Sequence, residues 1–305
     1  MTERIEGRAA AAAAVAGVLV GTGIVATRFV IEQTDPLALA LLRYLIGLAC
    51  LLPLAMLAPK IRFERGDLLP IGLLGVLQFA GIVGFLNTAL LYITAALGAL
   101  IFATVPLLTL LLAALLRVEP MTRVKALGVA LVVLGVGAAL FDKLQLTPAT
   151  GSTLLGILLA FAAALTGALC NVFYRPYLRR YPTMPVSVYA MACAVVVLAV
   201  ATLGAGELQD LTGFTAAGWS AVLFIGISSG VGYYLWLWAL KHSTPTKAAV
   251  FLNLSPLVAA VLGLLLLAEP VSWLFGLGLL LVLSGLWLTT RATSRRAPLP
   301  IEPTL

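Results

Sequence analysis

The sequence predicts an all-α membrane protein of ten transmembrane helices, built as two five-helix repeats around a central cavity. Three observations carry this expectation. First, 62% of the 305 residues are hydrophobic and 10% are charged, against about 45–50% and about 25% in soluble domains. Second, the apolar stretches are unbroken runs of roughly the 20 residues that a helix needs to cross a bilayer, not the polar-apolar alternation of barrel strands. Third, one long stretch occurs twice.

The duplicated stretch runs from Ala89 to Phe141 and returns 150 residues later. Pro106/Pro256, Glu119/Glu269, Pro120/Pro270, Gly128/Gly278 and Gly135/Gly285 all keep this offset, as do Ala89/Ala239, Leu90/Leu240, Thr94/Thr244 and Ala99/Ala249. Leucines align by chance in any two apolar helices. Proline, glutamate and glycine at one fixed spacing are stronger evidence of an internal repeat.

In chain order, a polar tail (1–8) precedes the first span, 9–28. A cleavable leader is the alternative for a basic start before an apolar run, but its removal would leave the first repeat one helix short. Glu32, Gln33, Thr34 and Asp35 form an acidic loop, and Pro36 opens the second span, which ends near 58. Lys60, Arg62 and Arg65 form a basic loop before the third span, 68–88. The fourth covers 95–116. Arg117, Arg123 and Lys125 flank the fifth, which ends near 141. Repeat one is thus 9–141. The segment 142–152, DKLQLTPATGS, has the breakers of a linker. Repeat two is 153–290, with spans at 153–173, 186–205, 216–240, 246–267 and 271–289. Its loops carry Arg175, Arg179 and Arg180, then Glu207 and Asp210. A proline-rich tail, 291–305, has the composition of a disordered segment.

Loop charge sets orientation. With the N-terminus in the cytoplasm, 16 of the 19 Lys and Arg residues fall on the cytoplasmic side. Arg28 and Lys143 fall outside, and Arg43 lies within a span. This bias places both termini in the cytoplasm and explains the net charge of +7 without a nucleic-acid partner. Five spans per repeat is an odd number, so the second repeat enters the bilayer from the opposite face. The prediction is an inverted-topology pair with a solute site where the halves meet.

The fivefold-plus-fivefold layout resembles the drug/metabolite transporter superfamily, in its ten-helix EamA-type branch. The resemblance rests also on Pro36 through Arg43 and on the Pro106…Glu119-Pro120…Gly128…Gly135 pattern with its copy. Within the branch the chain most resembles bacterial YddG-type exporters of aromatic amino acids and small metabolites. The family's Trp-Gly pair late in the first span is replaced by Val20-Gly21-Thr22-Gly23, with Gly167-Ala168 in the sixth. The resemblance implies a basket of helices in the cell inner membrane that exports small solutes by alternating access. The expected partners are a small-molecule substrate and the lipid bilayer, with no cofactor and a monomeric state. A same-fold carrier of nucleobases, sugars or drugs is the nearest alternative, and a membrane-embedded enzyme or scaffold a remote one.

Few residues could carry chemistry. His242 is the one histidine, so neither a zinc cluster nor a Ser-His pair can be assembled. Cys50, Cys170 and Cys193 sit in apolar runs as small hydrophobes. No carboxylate stands mid-span, which argues against proton coupling. Glu119 and Glu269 precede prolines at helix starts, where the helix dipole favours a carboxylate.

Arg43 is the one charge deep in a span, about 10 Å past Pro36 at about 1.5 Å per residue. It is a candidate contact for a substrate carboxylate or a structural arginine satisfied by backbone carbonyls. Gln78, beside Phe79, has Ser228 as its repeat counterpart. This central pair could line a cavity or bond helix to helix. Tyr233 and Tyr234 are further lining candidates, while Trp236 and Trp238 read as an interfacial belt. Phe102, Asn171, Tyr189 and Asn253 complete the lining candidates, each open to plain packing. Pro106 and Pro256 are expected mid-helix, as paired hinges or as fixed bends.

Overall fold

The computed structural model describes residues 2–57, 61–116, 121–146, 151–206, 213–242, 251, 254–269 and 272–294. Among the described residues every regular element is helical. Helix α1 covers Thr2–Val30 and passes through a short 3-10 turn, Ile31–Gln33, into α2, Pro36–Met56. Asp35 starts α2 by accepting the Leu37 amide on its carboxylate at 2.6 Å, with Pro36 in the first turn, where no donor is lost. The third span is α3 (Arg65–Gly75), a π-helical segment (Val76–Gly81) and α4 (Ile82–Ala89). Then come α5 (Ala95–Phe102), α6 (Val105–Leu115) and α7 (Arg123–Leu146). The second half runs α8 (Gly151–Phe173), α9 (Arg175–Arg180), α10 (Thr183–Ala205), α11 (Ala216–His242), α12 (Leu254–Leu267) and α13 (Trp273–Ser294).

Among the described residues, eight helical stretches are long and apolar enough to cross a bilayer, and two shorter apolar ones lie at 254–267 and 273–289. Large apolar side chains such as Leu57, Leu115, Leu265 and Trp273 are strongly exposed, as expected where hydrocarbon replaces water around the protein. The chain is a multi-pass membrane protein.

The first two helices of each half pack on the later helices of the other. α1 lies on α11 and α12, while α8 lies on α4 and α6. Likewise α2 packs on α11, and α10 on α3 and the π segment. α7 and α13 form a pair of their own, held by the repeated glycines. A Cβ on Gly128 would come within 2.7 Å of the Gly285 carbonyl oxygen, and one on Gly135 within 2.5 Å of the Gly278 carbonyl oxygen. Rising numbers on one helix meet falling numbers on the other, so α7 and α13 are antiparallel. Only residues without side chains permit backbones this close.

The structure departs from the sequence expectations in several places. The fourth span is broken at Ala103 and Thr104, and Pro106 sits in the first turn of α6. It therefore does not kink a continuous helix. Thr104 helps to end the upper segment by donating its hydroxyl to the Ile101 carbonyl at 2.6 Å. Pro256 stands third in α12, and the residues just before that helix are outside the described set. α7 continues through Leu146 and α8 begins at Gly151, so helix takes up much of the expected linker. α13 likewise runs to Ser294, into the expected tail. Glu119, Pro120, Pro270 and Asn253 lie outside the described residues.

Candidate functional site

α2 presents Ala40, Tyr44, Gly47 and Leu51 to the protein interior, and Arg43 stands half-buried on the edge of that stripe. Gly47 brings α2 against α11. A Cβ on Gly230 would stand 2.9 Å from the Gly47 carbonyl oxygen. This contact carries the Arg43 guanidinium to Ser229, whose Oγ accepts from Nε at 2.7 Å. Ser229 in turn donates to the Ile225 carbonyl at 2.6 Å, so its proton is committed and its lone pairs face the arginine. Ser228 is buried and donates to the same carbonyl at 3.0 Å. Gly23 of α1 leaves room beside the guanidinium, since a Cβ there would stand 4.0 Å from one Arg43 terminal nitrogen.

An aromatic chain begins at the next residue. The Arg43 guanidinium carbon lies 5.7 Å from the Tyr44 ring centroid. Tyr44 meets Phe79 edge-on at 5.2 Å, and Phe79 meets Tyr233 edge-on at 5.3 Å, separations at which aromatic pairs attract. Phe79 and Gln78 belong to the π-helical segment, a distortion often found at functional sites. Gln78 is half-buried. Tyr189 and Tyr234 pack against the same apolar cluster as Tyr44 and Phe79. Tyr189 lies 5.5 Å from Phe63.

Arg43, Phe79, Ser228, Tyr233, Tyr234 and Tyr189 therefore lie on connected helices around one region. Phe102 does not join them and packs instead with Ile24, Val25 and Ile82. Asn171 is exposed on α8 and its amide reaches the Thr109 hydroxyl at 3.4 Å, a helix-to-helix contact. Trp236 and Trp238 pack on Ala12 and Ala13 of α1. Two site residues were not singled out from sequence. Ser229 is signalled only as the second of two serines in an apolar run, and Tyr44 only as the neighbour of the in-span arginine.

Two polar clusters flank this region. At the start of α5, Glu269 is 8% exposed and accepts the Ala95 amide on both carboxylate oxygens, at 3.1 and 3.0 Å. The sequence placed this carboxylate at the start of its own following helix. Its carboxylate caps a helix of the other half, and the Pro270 that follows it lies outside the described residues. Arg28 Nε stands 3.8 Å from Glu269, and its Nη1 bonds Glu32 at 2.7 Å. At the start of α3, Arg180 pairs with Asp67 at 2.8 Å and Glu64 at 3.0 Å. Tyr181 donates to the same Asp67 oxygen at 2.6 Å, and that bond to a carboxylate pushes the Tyr181 phenol above its ordinary range. These Arg180 pairs are solvent-exposed and contribute little stability individually. An open cavity of about 510 Å³ lies beside them, lined by Asp67, Pro176, Tyr177, Arg179 and Arg180.

Comparison with known proteins fits this architecture. The chain is 26% identical over 278 residues to a protein of Archaeoglobus fulgidus named as an uncharacterized transporter, covering 89% of this chain and 94% of that one. It is 27% identical over 213 residues to the transporter YyaM of Bacillus subtilis, covering 70% of each. A WAT1-related protein of Arabidopsis thaliana is 26% identical over 244 residues, 72% of this chain and 63% of that one. A solved crystal structure superposes with a TM-score of 0.70 at 20% identity, over 95% of this chain and 99% of that chain, a likeness of fold. The model of the EamA-like transporter family matches twice, over residues 7–141 and 154–291. Both halves of the chain carry the same family unit, and the protein belongs to the EamA-like transporter family.

Proposed function

We infer that this transporter exports small amphipathic organic solutes across the cell inner membrane, with aromatic and other hydrophobic amino acids as first candidates, in the manner of YddG-type exporters. The observation that carries the reading is a mid-span cation, Arg43, fixed by Ser229 beside the rings of Tyr44, Phe79 and Tyr233. A guanidinium suits a solute carboxylate, and the rings suit an apolar side group. Gln78, Ser228, Tyr189 and Tyr234 complete the lining in this reading.

The mechanism in this reading is alternating access of two inverted halves, with both termini in the cytoplasm. Supporting it are the antiparallel α7–α13 seam, the reciprocal packing of each half's first helices on the other half, and the loop charges. Pro106 and Pro256, each in the first turn of its described helix, are the proposed hinge positions. Transport runs down the solute's own gradient, because none of the carboxylates whose side chains are described stands mid-span.

Uptake of radiolabelled phenylalanine, tyrosine and leucine into proteoliposomes, with and without a pH gradient, tests this. Saturable flux that ignores the pH gradient is expected. No saturable flux for any amino acid or amino-acid-like acid removes the substrate assignment, and flux that follows the gradient removes the uncoupled mechanism.

A further inference from the structure

Arg43 is a fixed cation with no carboxylate beside it among the residues whose side chains are described. Among the residues whose side chains are described there are five carboxylates, and each is engaged elsewhere. Glu32 is held by Arg28, Asp35 by the Leu37 amide, Glu64 and Asp67 by Arg180, and Glu269 by the Ala95 amide. Ser229 occupies only the Nε of Arg43. The two terminal nitrogens carry no hydrogen bond or ion pair to any described residue. They form the edge of a guanidinium that grips a carboxylate through two parallel bonds. Beside the guanidinium lie Gly23, which contributes no side chain, and the Tyr44 ring, and the Ser228 hydroxyl borders the same Gly23 position.

We propose that the Arg43–Ser229 pair makes this site selective for net anions: it takes amine-free aromatic or branched carboxylic acids in preference to the corresponding amino acids. This rests on the transport reading above and narrows it. A carboxylate completes the charge balance of Arg43. A zwitterion does so as well, but it brings an ammonium group next to a half-buried guanidinium, where no described carboxylate is free to receive it. An amine without a carboxylate meets only like charge. Ser229 is a positioning residue in this scheme. With its own proton committed to the Ile225 carbonyl, it fixes the guanidinium so that the terminal edge, not Nε, faces the solute.

The test uses the full chain in liposomes and three solutes that share one ring and chain length: 3-phenylpropionate, phenylalanine and phenethylamine. Counterflow and thermal stabilisation of the detergent-purified protein are measured for each. The expected result is at least tenfold tighter apparent affinity for 3-phenylpropionate than for phenylalanine, and no response to phenethylamine. R43Q abolishes both readouts. R43K retains a response weakened about tenfold, because lysine cannot form the paired bonds. S229A raises KM for 3-phenylpropionate several-fold with kcat unchanged, and S229T restores it, which a purely structural serine would not do. The three-solute series on the unaltered protein stands even where an Arg43 variant fails to fold. Equal or better response to phenylalanine or phenethylamine overturns the anion preference and leaves the transport reading intact. Stabilisation by 3-phenylpropionate without flux supports the anion site and overturns the transport reading. Neither stabilisation nor flux with any of the three overturns both.

Discussion

Gly128 of α7 and Gly285 of α13 meet backbone to backbone. A Cβ on the first would come within 2.7 Å of the carbonyl oxygen of the second, and a Cβ on the second within 2.5 Å of the carbonyl oxygen of the first. The repeat register pairs Gly128 with Gly278, yet in space Gly128 meets Gly285 and Gly135 meets Gly278. This crossing of partners is what a two-fold axis between antiparallel copies produces, the same patch serving on both sides.

The seam therefore tolerates no added carbon. G128A and G285A are each expected to cost about 1–3 kcal/mol by overpacking. The double variant should cost less than the two together, because one separation of the helices relieves both contacts. Thermal unfolding in detergent measures all three. Full additivity would mean that the two glycines do not share a contact.

Glu269 joins the two halves at the start of α5. E269A leaves the Ala95 amide without its acceptor and Arg28 without one of its two carboxylates, and a buried donor left bare costs about 1–3 kcal/mol. E269Q keeps an acceptor oxygen for the amide and should cost less. Equal melting temperatures for the two variants would show that the amide bond contributes nothing to stability.

Ala268 precedes that glutamate at φ +52, a conformation that residues with a Cβ seldom adopt. An L-residue pays roughly 1–2 kcal/mol there, offset in part by the greater chain entropy that glycine loses on folding. A268G is expected to raise stability by up to about 1 kcal/mol in the same unfolding assay. A lowered melting temperature would mean that the methyl group packs better than its backbone strain costs.

Much of this scaffold is legible in the sequence. The unbroken apolar runs mark the helices, and the repeated glycines mark the seam, because close helix crossings admit few residue types. Other features depend on tertiary contacts. The sequence puts Glu269 before a proline at a helix start, but nothing local says that its carboxylate caps a helix in the other half. The π-helical segment at Gln78 follows Gly75 and ends at Gly81 in an apolar run, and glycines there do not by themselves distinguish it from ordinary helix. Pro106 departs from the mid-helix expectation for a physical reason: proline disrupts a helix interior but suits its first turn. Thr104, two residues before it and bonded to the Ile101 carbonyl, marks that boundary.

The placement of Pro106 gives a prediction opposite in sign to that for a kinked helix. At a compatible first-turn position proline stabilises by restricting the unfolded chain, so P106A should lose about 0.4–1 kcal/mol. At a mid-helix position the same change would restore a hydrogen bond and add stability. Detergent unfolding decides between them. For the proposed hinge, the P106A/P256A double variant is expected to slow transport several-fold at unchanged expression, and unchanged flux would dispose of that role.

Phe79 stands between Tyr44 and Tyr233, with ring separations of 5.2 and 5.3 Å. It links an α2 ring to an α11 ring through the π-helical segment of α3–α4. F79L keeps an apolar side chain of similar bulk and removes the ring-edge contacts, each worth about 0.5–1.5 kcal/mol beyond burial. If the three rings form the wall against which a solute's ring rests, F79L should lower the apparent affinity for aromatic acids several-fold. Branched aliphatic acids of the same charge should be moved as before. Counterflow of the two solute classes through the same proteoliposomes measures the ratio. A loss common to both classes would mean that Phe79 holds helices together instead of reading the solute. A change in neither would place the solute's ring away from this wall.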